Sequence, residues 1–469
     1  MYKFNSKSKN ANEFINDEKI LETIFEVENG NYDIQKILNK SKEMKGLEPD
    51  EALALLLCCD KNVENEIYEI AKKIKLEIYG RRIVLFAPLY LSNYCINGCV
   101  YCPYHSKNKN IARKKLTQEE IKAEVMALQD MGHKRLALET GEDPEYASMD
   151  YLLESIKTIY GIKHKNGAIR RVNVNIAATT VENYTKLKDA GIGTYVLFQE
   201  TYHKPTYQKL HPTGPKSDYE YHTEAMDRAM EGGIDDVGIG VLFGLYNYKY
   251  DFTAMLYHAK HLEDTFGCGP HTISVPRIRP ADDVDVNSFP NAIKDNLFKK
   301  IVAVLRIAVP YTGIIVSTRE SQKSREEVLE VGVSQISGGS RTSVGGYVEE
   351  EEENSKQFEV NDTRSLDDII EWLCKIDYLP SFCTACYREG RTGDRFMSFA
   401  KSGQIKNFCQ ANAIITLKEY SNDYASNNTE KEIDRVMINE IDKIPNEKVK
   451  NKLVSALDEI NEGKRDFKF

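Results

Sequence analysis

A single tryptophan occurs among 469 residues, no histidine follows His271, and no apolar run is long enough to cross a bilayer. The last of these absences excludes a helical integral membrane protein. The opening residues Met1 to Asn10 are polar and lack the apolar core that a secretory signal needs, so a cytoplasmic location is expected. Positive charge is in deficit. The formal net charge is −9, which repels polyanions, so neither nucleic acid nor an anionic membrane is expected as a partner. No G-x-G-x-x-G runs from a strand into a helix, so a dinucleotide fingerprint is missing. No Ser/His/Asp pattern points to a nucleophilic triad. What is present is 41% hydrophobic residues and 27 tyrosines, a composition that fits a globular chain of two or three domains.

Ten cysteines carry the chemistry. In a long chain without a signal segment, thiols grouped as C-x3-C-x2-C and C-x2-C indicate metal binding rather than disulfides. Cys95, Cys99 and Cys102 form the first group, just after an apolar run at 83–88 that reads as a strand. Thiolates are the soft ligands of iron–sulfur clusters. Three sulfurs leave one iron of a four-iron cluster open to a substrate or cofactor. A zinc loop completed by His105 is the other reading of the same residues. The spacing, with Tyr101 before the last cysteine, resembles the radical S-adenosylmethionine (SAM) superfamily. Cys58 and Cys59 are adjacent, diverge on a helix, and are expected to be buried structural thiols.

Residues 1–80 are expected to form a helical extension. Asn16 caps a helix from Asp17, and Glu51 to Leu57 is an apolar helical stretch. From 81 to 347, strands alternate with helices. Segments 83–88, 135–139, 171–176, 194–199, 236–242, 272–276, 313–317 and 333–337 read as strands. Between them, Thr117 to Glu120 is a capping box ahead of a helix at 121–131. Gly191 closes a helix at 182–190, and Gly232-Gly233 closes one at 219–230. Eight such units predict an α/β fold, a closed parallel (β/α)8 TIM-type barrel with its chemistry at the C-terminal ends of the strands. The acidic run Glu349 to Glu353 marks a linker or surface loop at 348–364. The remainder, 365–469, opens with an amphipathic helix after Ser365 and is expected to be a mainly helical, cluster-binding domain.

Several segments fall where strands end. Thr140, Gly141 and Glu142 follow the second strand; a glycine lets backbone approach a ligand, and Glu142 accepts from an ammonium. Radical SAM proteins hold the amino group of SAM with a Gly-Gly-Glu-like segment, and this chain has Thr140 in place of the first glycine. Asn173 and Asn175 share a face of the third strand, suited either to the ribose of SAM or to each other. Gly238 and Gly240 are similar to the family's glycine segment beside the adenine, since a strand glycine marks close approach of another group. Ser317 and Arg319 end the seventh strand on the same face of the barrel. A guanidinium offers a carboxylate a two-pronged contact that lysine does not reproduce.

The second thiol group is Cys383 and Cys386, followed after 22 residues by Cys409, with Arg388, Arg391 and Arg395 nearby to neutralise an anionic cluster. With no histidine beyond His271, a Cys3His zinc site would have to borrow one from the barrel. A structural zinc and a second iron–sulfur cluster both fit the thiols. The C-x3-C-x2-C loop, Ile169 to Ala178, Phe198 to Tyr202, His271 to Pro276 and the tail cysteines together resemble the tyrosine lyase family of FeFe-hydrogenase maturation. The related tyrosine lyases of thiamine biosynthesis resemble the barrel but lack the tail cysteines.

The resemblance implies a radical SAM carbon–carbon lyase with a SAM-binding 4Fe-4S cluster, SAM, and a second iron–sulfur cluster carrying an additional iron. It implies that a 5′-deoxyadenosyl radical takes hydrogen from the amino group of L-tyrosine and that the Cα–Cβ bond breaks. The products are p-cresol and dehydroglycine, and the latter goes on to carbon monoxide and cyanide for the hydrogenase cofactor. Ser317 and Arg319 then hold the tyrosine carboxylate, and His271, or alternatively His261, ligates the extra iron. An electron donor and hydrogenase-maturation proteins are the implied partners. Two further readings stand beside this one: a thiamine-thiazole-type lyase with a zinc tail, and a non-enzymatic iron–sulfur carrier, which would need none of the SAM-pocket segments.

Overall fold

The computed structural model describes residues 7–350, 353–401, 405–444 and 446–469, so Glu351 and Glu352 of the acidic run lie outside the described residues. Eight strands follow the alternation in the sequence: β1 (Arg82–Ser92), β2 (Arg135–Thr140), β3 (Arg171–Asn175), β4 (Tyr195–Val196), β5 (Val237–Gly240), β6 (Thr272–Ser274), β7 (Gly313–Val316) and β8 (Gln335–Ser337). Each pairs in parallel with the next. β8 returns to β1 through Val84–Gln335, Leu85–Ile336 and Phe86–Ser337, which closes the barrel.

The two-residue period of a strand sorts the side chains. Ile83, Leu85, Ala87 and Leu89 of β1, Leu136 and Leu138 of β2, and Val172 and Val174 of β3 are buried in the hydrophobic core. Their alternates Arg135, Glu139, Asn173 and Asn175, with Ser317, Ser337 and Gln335 on the far side, are polar and line internal cavities. Side chains usually fill the interior of such a barrel. Here apolar Phe86, Pro88 and Phe198 share the inner face with those polar groups around a cavity of about 110 Å³.

Local signals account for the helices. Thr117 and Glu120 form the capping box of Gln118–Asp130, and Asn16 accepts from Lys19 N at 2.9 Å to cap Asp17–Asn29. The helix expected at 219–230 is two helices, Tyr219–Thr223 and Ala225–Glu231. The break falls at Glu224, whose carboxylate accepts from Ala11 N of the N-terminal segment at 2.9 Å. Helices Pro49–Leu57 and Lys61–Ile78 pack on the barrel helix Asp295–Ala308. Cys58 is half-buried and Cys59 exposed, contrary to expectation. The helix stops at Leu57, so both thiols sit on the extended link before Asp60 rather than on a buried face.

A ninth strand, β9 (Leu379–Ser381), was not legible in advance. It pairs in parallel with the start of β1, Arg82 opposite Leu379 and Val84 opposite Ser381. This pairing carries the chain to Cys383 at the N-terminal mouth of the barrel. Helices Ile405–Tyr424, Asn427–Ile441 and Glu447–Asn461 then cover that end. Among the described residues no helix is long and apolar enough to cross a membrane.

Candidate active site at the two mouths of the barrel

The C-terminal ends of the strands form the upper mouth, where Cys95, Cys99 and Cys102 line one cavity of about 150 Å³. The cysteine loop is held by its backbone. Gly98 N donates to Thr213 O at 2.9 Å, Val100 N to Leu210 O at 3.0 Å, and Ser106 N to Asn97 O at 2.8 Å. Asn97 ties the loop to the second strand by donating Nδ2 to Glu142 at 2.6 Å, and its Oδ1 accepts from Lys216 N at 2.9 Å. Gly141 is required, because a Cβ there would collide with Tyr94 O. Thr140, Gly141, Glu142 and Tyr101 all line the cavity with the thiols. Tyr101 is buried with its hydroxyl 2.7 Å from His211 Nε2. Burial pushes the Cys99 and Cys102 thiols up to about 12, with Lys216 opposing it, so these sulfurs need added positive charge to ionise. A bound metal supplies that charge, and three soft donors facing one cavity fit an iron–sulfur cluster. His105 is turned toward Asp283, with Nε2 3.0 Å from Oδ2, and does not line the cavity.

Asn175 lines both this cavity and the barrel interior, whereas Asn173 lines the interior alone and accepts from Thr194 N at 3.0 Å. Gly238 and Gly240 line neither. Their lack of a side chain serves close strand packing, since Cβ atoms there would lie 2.5 Å from Thr272 Oγ1 and from Ser274 O. Ser317 and Arg319 line the interior, and Arg319 also reaches the upper cavity, its guanidinium 3.7 Å from the Phe358 ring centre.

Glu139, Glu200 and its partner Lys216, which sequence reasoning passed over, belong here. Glu139 lines both cavities, and burial raises its carboxyl to about 8 against the opposing pull of Arg319 and Asn175. Glu200 adopts a left-handed backbone, φ 67°, and pairs with Lys216 at 2.8 Å beside the thiols. Strained backbone of this kind persists where surrounding structure fixes it, often at functional sites. The signal in the sequence was position alone: Glu139 precedes the Thr-Gly-Glu segment, and Glu200 sits inside the Phe198 to Tyr202 motif.

At the lower mouth, Cys383, Cys386, Cys409 and His271 line one cavity of about 100 Å³. Cys386 donates its thiol hydrogen toward Cys409, which holds Cys409 down and Cys386 up; Arg82 and Arg391 also favour the Cys409 thiolate. His271 Nε2 is 3.1 Å from Tyr387 OH, and its Nδ1 is 3.5 Å from Asp236 Oδ1. Nδ1 has no hydrogen-bond partner, so it is the ring nitrogen left open to a metal. His261 is elsewhere: its Nε2 is 2.9 Å from Asp227 Oδ1 and its ring stacks on Phe14. Among the described residues no three such side chains already close on a common metal position, so the thiols line their cavities without forming a finished cage. The barrel interior shares Glu139, Asn175 and Arg319 with the upper cavity, and it shares Gln335 with the lower one.

A closed parallel barrel with a three-cysteine loop after its first strand defines a radical SAM enzyme, and residues 89–255 match the Radical SAM superfamily. Residues 274–379 match the Biotin and Thiamin Synthesis associated domain. The chain is 58% identical to a HydG, a maturase of the FeFe-hydrogenase, whose crystal structure superposes with a TM-score of 0.95 over 97% of this chain and 100% of that one. The HydG of Carboxydothermus hydrogenoformans is 40% identical over 96% of this chain and 100% of its own, with a TM-score of 0.83. The 2-iminoacetate synthase of Salmonella typhimurium is 30% identical over 71% of this chain and 85% of its own length. The chain belongs to the HydG family of FeFe-hydrogenase maturases.

Proposed function

We propose that this maturase cleaves L-tyrosine at the upper mouth into p-cresol and dehydroglycine, and converts dehydroglycine to carbon monoxide and cyanide at the lower mouth. The observation that carries this reading is the pair of three-thiol cavities at opposite ends of one barrel. Cys95, Cys99 and Cys102 would hold the SAM-binding cluster, while Cys383, Cys386, Cys409 and His271 would hold the second cluster and its additional iron. When bound, the first cluster with SAM supplies the hydrogen-abstracting radical, and the second supplies iron that accepts the diatomic products.

The chain's own residues place the substrate. Arg319 and Ser317 receive the tyrosine carboxylate, and Glu139 and Asn175 face the amino group from across the interior. Glu142, through Asn97, holds the cysteine loop against the second strand. Glu200 and Lys216 set the polar wall beside the thiols. The second step balances without an outside oxidant: HN=CH–COO⁻ yields CO, CN⁻ and H₂O. An enclosed route between the mouths keeps the imine from bulk water.

Anaerobic incubation with SAM, dithionite and tyrosine is expected to yield p-cresol. Replacing Cys383 and Cys386 with Ala should leave p-cresol formation in place, lower cyanide and abolish carbon monoxide. Loss of p-cresol from that folded variant would contradict the division of labour. Zinc in the tail, with iron for one cluster alone, would favour a thiamine-thiazole-type lyase instead.

A further inference from the structure

Arg82, Arg135 and Arg171 open β1, β2 and β3, and Arg135 and Arg171 stand side by side in the parallel ladder. Their residues are buried, with 7%, 3% and 9% exposure. Among the described residues none of the three forms an ion pair with a carboxylate. A buried guanidinium without a counter-ion is costly, so such a group is normally completed by an anion. Arg82 lies beside Cys383 and Cys409 and donates Nη1 to Gln410 Oε1 at 3.2 Å. The lower thiols therefore account for Arg82.

Arg135 also acts on Cys383, but the thiols leave its Nε, and that of Arg171, without a hydrogen-bond partner. Arg171 stacks on the Tyr387 ring, 3.8 Å from its centre, and donates Nη1 to Gly191 O at 3.2 Å. Arg135 lines the lower cavity and donates Nη2 to Tyr387 OH at 3.1 Å, while its Nε has no partner. Tyr387 OH also sits 3.1 Å from both His271 Nε2 and Thr194 Oγ1. The nearby acid, Asp236, accepts from Gly393 N at 3.0 Å, faces His271 and acts on Arg171 through its charge without pairing with it, its Oδ2 having no hydrogen-bond partner.

We propose that Arg135 and Tyr387, backed by Arg171, form a receiving site at the lower mouth for a two-carbon α-imino carboxylate. The inference rests on the lyase reading above, since that reaction makes such a compound. The edge of Arg135 and the phenol of Tyr387 offer a carboxylate its hydrogen-bond donors. Tyr387 directly follows Cys386, so a carboxylate held there places the imine carbon toward the lower thiols. Without this hold the imine is free to leave and hydrolyse: HN=CH–COO⁻, H₂O and H⁺ give OHC–COO⁻ and NH₄⁺.

The test uses the anaerobically reconstituted full chain, with oxamate as an unreactive probe followed by calorimetry. The wild type is expected to bind oxamate. Arg135→Gln and Tyr387→Phe are expected to weaken it roughly tenfold to a hundredfold, the range for a lost hydrogen bond to a charged group. Iron per chain and the spectra of both centres should stay as in the wild type, while glyoxylate rises at the expense of cyanide. Arg135→Lys keeps the charge without the fork, is expected to behave like Arg135→Gln, and carries the test if that variant fails to fold. Oxamate binding at wild-type strength in Arg135→Lys and Tyr387→Phe overturns the proposal. So does iron loss from the lower centre in Arg135→Gln, which would make Arg135 a counter-ion of the cluster. Absence of p-cresol from the wild type would sink the lyase reading and leave the oxamate measurement to judge the site by itself.

Discussion

Replacing Arg319 with Lys tests the upper mouth most directly. The guanidinium lies over Phe358, 3.7 Å from the ring centre, at the junction of the upper cavity and the barrel interior. Lysine keeps the charge but gives a carboxylate one point contact in place of a fork. A hydrogen bond to a charged group contributes about 1.5–3 kcal/mol, and the cation–π contact roughly 0.5–2 kcal/mol where desolvated. The cation–π contact is made with or without substrate and lysine keeps the charge, so the net loss is that of one prong, about 1.5–3 kcal/mol, or roughly 10- to 150-fold in kcat/KM for tyrosine. The assay is p-cresol formation against tyrosine concentration under anaerobic conditions, with SAM at saturation. SAM affinity, measured without tyrosine, should hold within about threefold if the contact is to the amino acid alone. A kcat/KM within about threefold of the wild type would refute the carboxylate assignment.

Other positions carry their own expectations. Gly141→Ala drives a Cβ into Tyr94 O and to 3.0 Å from Cys95 Cβ. Its iron content is therefore expected to fall by roughly half, lost from the upper centre, as read by iron analysis and cluster spectra. Glu139 holds its proton up to about pH 8 in the folded chain, whereas a free glutamate releases it near 4.5. The unfolded chain thus gives up this proton first, and the group lowers stability progressively from about pH 4.5 to 8. In thermal melts the stability advantage of Glu139→Gln should grow across that window and level off above it, reaching at most a few kcal/mol. Asp362→Asn removes the carboxylate between buried Arg325 and Arg364, leaving a guanidinium uncompensated. Denaturant titration should show a loss of about 3–5 kcal/mol.

The barrel was legible because strand-like apolar runs recur eight times between helical segments with caps and glycine stops. The same alternation placed Asn175 on the cavity side, and Ser317 and Arg319 were legible from their place just beyond the C-terminal end of the seventh strand. β9 escaped notice because it is three residues long with Pro380 at its centre, a residue that cannot donate to a ladder. Its strand character comes wholly from the neighbouring β1. Gly238 and Gly240 show the converse: a glycine in a strand announces close approach, but not whether a ligand or the next strand approaches. Arg135 and Tyr387 meet at 3.1 Å across a separation of 252 residues, so no local pattern could announce that they are neighbours. His271 could be matched by motif, but its facing of Asp236 and Tyr387 needed the closed barrel.

β1 has eleven residues, pairs with β9 at its first positions, and releases the upper cysteine loop beyond its last. At about 3.3 Å per residue it is a strut on the order of 30 Å long. The gap between the two thiol nests is set by one continuous strand and not by how loosely a second module docks. Neither nest can lean over to share a ligand with the other. Whatever connects their chemistry has to be a molecule small enough to make the journey inside.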